Sequence, residues 1–252
     1  MSAKKAAAPT GSVLSVDIAS GRYSDNGIAF LAHGSNDVEI IKTRTIGLTG
    51  KPQANEFAFA LHDLCIDRDV TVMLFDGPQG WKSPKTKIEH MRVCERVLNT
   101  PGKTGIIGEV KPKTFLLYIT FSINLFHILR VDYGWQLLRE DWAKKKKGGA
   151  WIVESFPSSA WRTLGLKKLP SKSKSTAKQL EIWRHNLSVM TGLNIPKDIK
   201  HDELQAAAVL TTGRAIAEGD SGGVILSGMD PIITSSGDVL EGWIANPLLG
   251  EI

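Results

Sequence analysis

The chain has 252 residues, of which 42% are hydrophobic and 23% charged, and its formal net charge is +5 at pH 7. This composition indicates a folded globular protein and excludes a disordered, collagenous or coiled-coil chain. The modest positive charge fits a polyanionic partner without requiring one. The only cysteines, Cys65 and Cys94, exclude a disulfide framework and a cysteine-based zinc site, so a reducing, cytoplasmic setting is expected.

The first half of the chain predicts the order β-β-β-α-β. Residues 1–12 lack the apolar region of a signal peptide and are predicted to be a disordered tail, with a single domain over 13–252. Three strands separated by turns rich in Gly, Ser, Asn and Asp then form an antiparallel meander. An amphipathic helix and a further strand follow. These strands and the helix are predicted at 13–19, 27–32, 38–44, 55–68 and 70–76.

Residues 83–148 are predicted to be an elaboration of the domain. A helix is expected at 88–98. The apolar stretch 114–131 is as long as the shortest membrane-spanning segments, but it contains Asn124, His127 and Arg130. A buried strand followed by a buried helix explains it better, so no membrane association is predicted.

The second half alternates strands and helices. A short buried strand is predicted at 151–154 and an edge strand at 241–245, with helices at 159–164, 176–190 and 202–218 between them. The lysine-rich segments 144–147 and 167–174 are interpreted either as phosphate-binding or as solvated loops. Trp81, which follows the turn after Asp76, is a candidate for stacking on a nucleic acid base.

Two of the predicted strands end on a carboxylate where the chain turns, at Asp17 and Asp76. Two such carboxylates on neighbouring strands repel each other unless a cation lies between them. Mg²⁺ or Mn²⁺ would be a suitable cation, because both are bound by oxygen ligands. The alternative is that both residues only form turns, which Asp favours on its own account.

Three antiparallel strands, a helix and then parallel strands alternating with helices is the order of the ribonuclease H-like fold. Four blocks between residues 16 and 216 also resemble domain-of-unknown-function family 429, whose members are described as predicted nucleases. The blocks are VDIASGRYSDNGIAFL, MLFDGPQGW, WIVESFPSSAWRTLGLKKL and HDELQAAAVLTTGRAI. The fold class is therefore predicted as α/β, a ribonuclease H-like mixed sheet with three antiparallel strands and then parallel strands, flanked by helices.

This resemblance implies a set of acidic site residues. Ribonuclease H-like nucleases hold two Mg²⁺ with acids from the first strand, the first helix, the fourth strand and a late helix, and such an ion pair stabilises both the attacking and the leaving oxygen. Glu203 is able to replace or assist the acid of the late helix, and the family resemblance adds an acid at the end of the fifth strand. The resulting candidates are Asp17, Glu56, Asp76, Asp202, Glu203 and Glu154.

Structural alternatives exist for most of these residues. Glu56, Asp202 and Glu203 each lie near the start of a predicted helix, where the helix dipole favours acids. Glu154 is expected to pair with Arg162 or with a following lysine if it has no catalytic role. His201 is either a proton carrier or a solvated side chain.

The sequence predicts a divalent-metal-dependent nuclease with nucleic acid as its partner. The alternative is a non-catalytic binding or structural module on the same fold. A phosphotransferase of the actin-like ATPase type is disfavoured, because the β-β-β-α-β pattern occurs once and no glycine stands two residues after Asp17. The sequence predicts no oligomeric state.

Overall fold

The structure is a computed structural model, and it describes residues 11–144 and 149–248. Residues 1–10 of the predicted tail lie outside the described residues, and Ser12 already begins the first strand. The strands are β1 (Ser12–Asp17), β2 (Gly27–Leu31), β3 (Val38–Ile40), β4 (Val70–Asp76), β5 (Gln136–Leu137), β6 (Trp151–Ser155), β7 (Val224–Ile233) and β8 (Val239–Pro247). The helices are α1 (Ala54–Asp67), α2 (Val93–Leu98), α3 (Leu116–Val131), α4 (Pro157–Thr163), α5 (Ala177–Thr191), α6 (His201–Ala207) and α7 (Leu210–Glu218).

The eight strands form one mixed sheet in the order β3-β2-β1-β4-β6-β8-β7, with β5 paired to the beginning of β6. The first three strands are antiparallel to one another. β1, β4, β6 and β8 then pair in parallel, and β7 pairs antiparallel to β8. This order and these directions confirm the predicted ribonuclease H-like sheet.

Each face of the sheet packs against its own group of helices. Because successive side chains of a strand alternate between faces, Val13 and Leu74 join one core and Leu14 and Phe75 join the other. The first core includes buried residues of α4 to α7, and the second includes those of α1 and α3. Continuing the same alternation, Asp17 and Asp76 fall on the face covered by α6 and α7.

Residues 114–131 differ from the prediction, because they form the single helix α3 with no preceding strand. Its β-branched and aromatic residues favour a strand locally, but packing against α1 and the sheet overrides that preference. Among the described residues, no helix has the length and apolar character needed to cross a bilayer. The predicted helix 88–98 is also shorter, since α2 begins at Val93.

The carboxyl-terminal third contains three further corrections. The predicted helix 202–218 is divided at Ala208 and Val209 into two helices, α6 and α7, and each of them packs against the sheet. The strand β7 was not predicted, and β8 is longer than 241–245. Because β7 pairs outside β8, the predicted edge strand is an inner strand.

Candidate carboxylate site

Asp17 and Asp76 are direct register partners at the carboxyl ends of the parallel strands β1 and β4. Their carboxyl groups lie close enough to hydrogen-bond to each other. Two ionised carboxylates at this separation repel each other, and a proton or a cation between them would relieve that repulsion. The sequence-based expectation that these two strand ends converge is therefore met by the geometry.

The surroundings of this pair favour its neutral form. Burial raises the pKa of Asp17 well above its ordinary range, and the charges of Asp76 and Asp202 raise it further. Burial also raises the pKa of Asp76 to about 7, with a contribution from the charge of Glu154 and an opposing one from the hydrogen bond with Asp17. A cation placed between the two carboxyl groups would favour their ionised forms and so oppose both shifts.

Gly27 allows the start of α6 to lie close to this pair. Gly27 is the β2 register partner of Asp17, and a Cβ atom on it would overlap the backbone carbonyl of Asp202. The buried alanines Ala206 and Ala207 continue this close approach. Asp202 therefore lies near enough for its charge to act on Asp17.

The carboxylate of Asp202 is itself occupied by two basic side chains. The Lys172 ammonium donates to its Oδ2 at 2.5 Å and also to Oδ1 of Asp25 at 3.2 Å. Nδ1 of His201 lies 3.0 Å from Oδ1 of Asp202, and Nε2 of His201 lies 2.8 Å from the carbonyl oxygen of Pro170. Burial opposes ionisation of Asp202, but the hydrogen bonds from His201 and Lys172 outweigh it and lower its pKa.

His201 thus faces oxygen acceptors with both ring nitrogens. Both hydrogen bonds form together when the imidazole carries two protons, or when Asp202 contributes the proton of the second bond. His201 is therefore held between Asp202 and Pro170. Its side chain is only 12% exposed, so His201 is not a solvated side chain.

Glu154 has a different partner from those expected. Arg92 donates from Nη1 and Nη2 to both oxygens of Glu154, at 2.7 and 2.6 Å, and the backbone N–H of Gln79 donates to the same carboxylate at 2.9 Å. Arg92 also binds Glu95 through Nε. The expectation that Glu154 pairs with Arg162 or a following lysine was wrong, because Arg92, 62 positions earlier in the chain, binds Glu154 instead. No sequence pattern around Arg92 predicts this role.

Glu203 and Glu56 lie in separate interactions. Glu203 is buried, forms an ion pair with Lys42 at 2.5 Å and accepts the backbone N–H of Lys200 at the start of α6. Glu56 is exposed in the first turn of α1 and accepts a hydrogen bond from the Tyr23 hydroxyl at 3.2 Å. Both contacts fit the helix-start alternative, and the charges that act on Asp17 come from Asp76, Asp202 and Lys172 instead.

The pair of Asp17 and Asp76 fits a divalent cation in its chemistry, since it offers carboxylate oxygens on two fixed strands. The described part of the chain contains no group of three or more His, Cys, Asp or Glu side chains placed to hold a metal ion. Asp202, the expected third acid, is directed to Lys172 and His201. The geometry therefore offers two free carboxylates and a third that is paired with a lysine.

The helix α3 closes the other side of the Asp76 turn. The Tyr118 hydroxyl donates to the Asp76 carbonyl at 2.6 Å, and the Ser122 hydroxyl donates to the Pro78 carbonyl at 2.9 Å. A mainly apolar cavity of about 280 Å³ lies beside Asp76, between this helix and the loop that carries Arg92. The contact of Tyr118 with Asp76 is not predictable from the sequence, because it depends on α3, whose first part the sequence predicts as a strand.

No family model matches the chain, so the resemblance to family 429 has no support from that comparison, and no curated protein matches its sequence. Two solved structures are similar: "Thermus thermophilus RuvC structure", at 9% identity and a TM-score of 0.39, and "T. thermophilus RuvC in complex with Holliday junction substrate", at 10% and 0.38. Each comparison covers 83% of this chain and 97% of the other. The ribonuclease H-like fold is assigned from the strand order and directions described above.

Proposed function

We propose that this chain is a divalent-metal-dependent nuclease that hydrolyses phosphodiester bonds in nucleic acid. The observation that supports this function is the Asp17–Asp76 pair, in register at the ends of two parallel strands, with both pKa values raised. Mg²⁺ or Mn²⁺ would be held by these two carboxylates. Asp202 would add negative charge from the start of α6.

The proposed reaction adds one water molecule to a phosphodiester. A new bond forms between the water oxygen and phosphorus, and the bond between phosphorus and the departing sugar oxygen breaks. One proton leaves the attacking water and one is taken up by the sugar oxygen. The metal ion, when bound, supplies charge stabilisation at the phosphate and acidifies water. Asp17 and Asp76 would hold the ion at the carboxyl ends of β1 and β4.

A non-catalytic binding module is the second candidate, and one observation favours it. Three of the six candidate acids, namely Asp202, Glu203 and Glu154, are already paired with basic side chains. Such a protein would have the same fold and the Asp17–Asp76 pair but would lack a complete cleavage site. Binding of a divalent ion without cleavage of nucleic acid would distinguish this module from a nuclease.

The experiment compares the wild type with Asp17→Asn and with Asp63→Asn, a matched control on the exposed side of α1. Mn²⁺ binding is measured by calorimetry, and cleavage is measured on labelled single-stranded and duplex DNA and RNA. We expect Mn²⁺ binding and cleavage in the wild type and in the control, and neither in Asp17→Asn. Mn²⁺ binding without cleavage of any of these substrates would instead establish the binding module. Cleavage that persists in Asp17→Asn would refute the proposed site.

A further inference from the structure

The segment from Leu166 to Ser175 is attached to the candidate site by three contacts. Lys172 donates to Asp202 and to Asp25, while His201 bonds to the carbonyl oxygen of Pro170. Two of these contacts, those of Asp202 and His201, lie at the start of α6. The sequence allowed two interpretations of the basic segment 167–174, a phosphate-binding segment or a solvated loop. In the structure this segment lies against the acids of the site.

The Lys172 ammonium acts on the same group that a cation would. Its charge lowers the pKa of Asp17, opposing the effects of burial, Asp76 and Asp202. It lies 2.5 Å from Asp202, in direct ion-pair contact. A divalent ion bridging Asp17 and Asp202 would have to displace this ammonium, because both cations need the same carboxylate oxygens.

Lys172 also has capacity for an anion. A lysine ammonium has three N–H donors, and Asp202 and Asp25 accept two of them. Its side chain is 56% exposed, so the third donor is open to a ligand arriving from solvent. A phosphate oxygen is a strong acceptor for such a donor.

We infer that Lys172 takes the place of a second metal ion, so that the site holds one divalent ion at Asp17 and Asp76 and presents the lysine ammonium to the scissile phosphate. This inference rests on the proposed function. It names Lys172 as a residue that contacts the substrate, and it explains why Asp202 is paired although it belongs to the acidic cluster. The resulting site uses one metal ion and one fixed positive charge.

The test is a calorimetric Mn²⁺ titration of the full chain, in the wild type, Lys172→Met and Lys178→Met. Methionine keeps most of the side-chain length without the charge, and Lys178 is an exposed lysine on α5 outside the segment. We expect one ion per chain in the wild type and in Lys178→Met, and two in Lys172→Met, because Oδ2 of Asp202 then has no ammonium bound to it. Two ions in the wild type, or one in Lys172→Met with unchanged affinity, would overturn the inference while leaving the proposed function intact.

A second measurement tests the phosphate contact without any metal. Binding of a single-stranded DNA oligonucleotide is measured at several salt concentrations with a chelator present, so that no cleavage occurs. Loss of one phosphate contact should reduce the slope of log affinity against log salt by about 0.7. We expect this reduction in Lys172→Met and not in Lys178→Met. Equal slopes in Lys172→Met and the wild type would show that Lys172 does not touch the phosphate backbone.

Discussion

Arg92 binds Glu154 through two parallel hydrogen bonds, and both side chains are almost completely buried. Arg92 lies in the loop after β4, and Glu154 lies near the end of β6. Arg92 belongs to residues 83–148, which the sequence predicts to be an elaboration of the domain. Their contact also removes the third strand-end carboxylate from the set that is free to bind a cation. The structure thus separates one structural acid, Glu154, from the pair Asp17 and Asp76.

Replacing Arg92 by methionine should strongly destabilise the protein. Glu154 and Glu95 would remain buried without their cation, and removing one partner of a buried ion pair costs about 3–5 kcal/mol. Urea unfolding measures the change. Arg162→Met, at an exposed position on α4, is the control and should change the free energy of unfolding by less than about 0.5 kcal/mol. Similar stabilities of the two variants would contradict the structural role of Arg92.

The metal-free protein should lose stability as the pH rises from about 4 to about 7. The pKa of Asp76 is about 7 in the folded protein and has its ordinary value near 4 when unfolded. Across that interval the folded state binds more protons than the unfolded state, so the free energy of unfolding falls with rising pH. The stabilisation is complete below pH 4 and is lost above pH 7. Thermal unfolding in chelator at several pH values measures this dependence.

Asp76→Asn should therefore stabilise the metal-free protein at pH 8. Removing a carboxylate whose ionised form is disfavoured by burial and by the charge of Glu154 should raise the free energy of unfolding by about 1–2 kcal/mol, or the melting temperature by roughly 2–8 °C. The variant should also show a flatter pH dependence between pH 4 and 7. Asp63→Asn should show neither effect. A lower melting temperature for Asp76→Asn at pH 8 would mean that its carboxylate is stabilised by its surroundings.

Mn²⁺ should bind more weakly as the pH falls below about 7. The pKa values of both carboxyl groups are raised, so protons and metal ions compete for them as the pH falls. The increase in melting temperature on adding Mn²⁺ should be larger at pH 8 than at pH 6, and absent in Asp17→Asn. An increase that is equal at both pH values would place the metal elsewhere.

Gly27→Ala should displace the start of α6. The new Cβ atom would overlap backbone atoms of Asp202 and Glu203, which cannot move aside as a flexible side chain does. We expect a loss of about 1–3 kcal/mol in stability, together with a changed Mn²⁺ affinity. Gly21→Ala is the control, because no atom lies within 4 Å of the Cβ position there. Equal melting temperatures of the two variants would contradict the close packing of α6 on β2.

The strands that carry Asp17 and Asp76 could be predicted because short apolar runs ending on an acid are local signals. That these two strands are neighbours follows from the strand order alone, which the sequence also indicates. In contrast, β7 contains Gly228, Asp230 and Pro231, and residues of these types are typical of loops. Its strand conformation depends on pairing with β8, which local sequence does not reveal.

The partners of the acids could not be predicted for a related reason. Arg92 and Glu154 are far apart in sequence, and so are Lys42 and Glu203. Which basic residue meets which acid depends on how loops cross the sheet. The composition of 167–174 indicated a phosphate-binding possibility, but not that Lys172 would reach Asp202.

The outer strand β7 has a consequence for how the protein behaves at high concentration. It is ten residues long, and Ile232 and Ile233 near its end are exposed, so it resembles the kind of edge on which other chains add as strands. Pro231 has no N–H to donate, and the pairing register shifts between Met229 and Ile232. These two features interrupt the edge next to its apolar end, which is one of the ways in which natural sheets limit edge-to-edge aggregation.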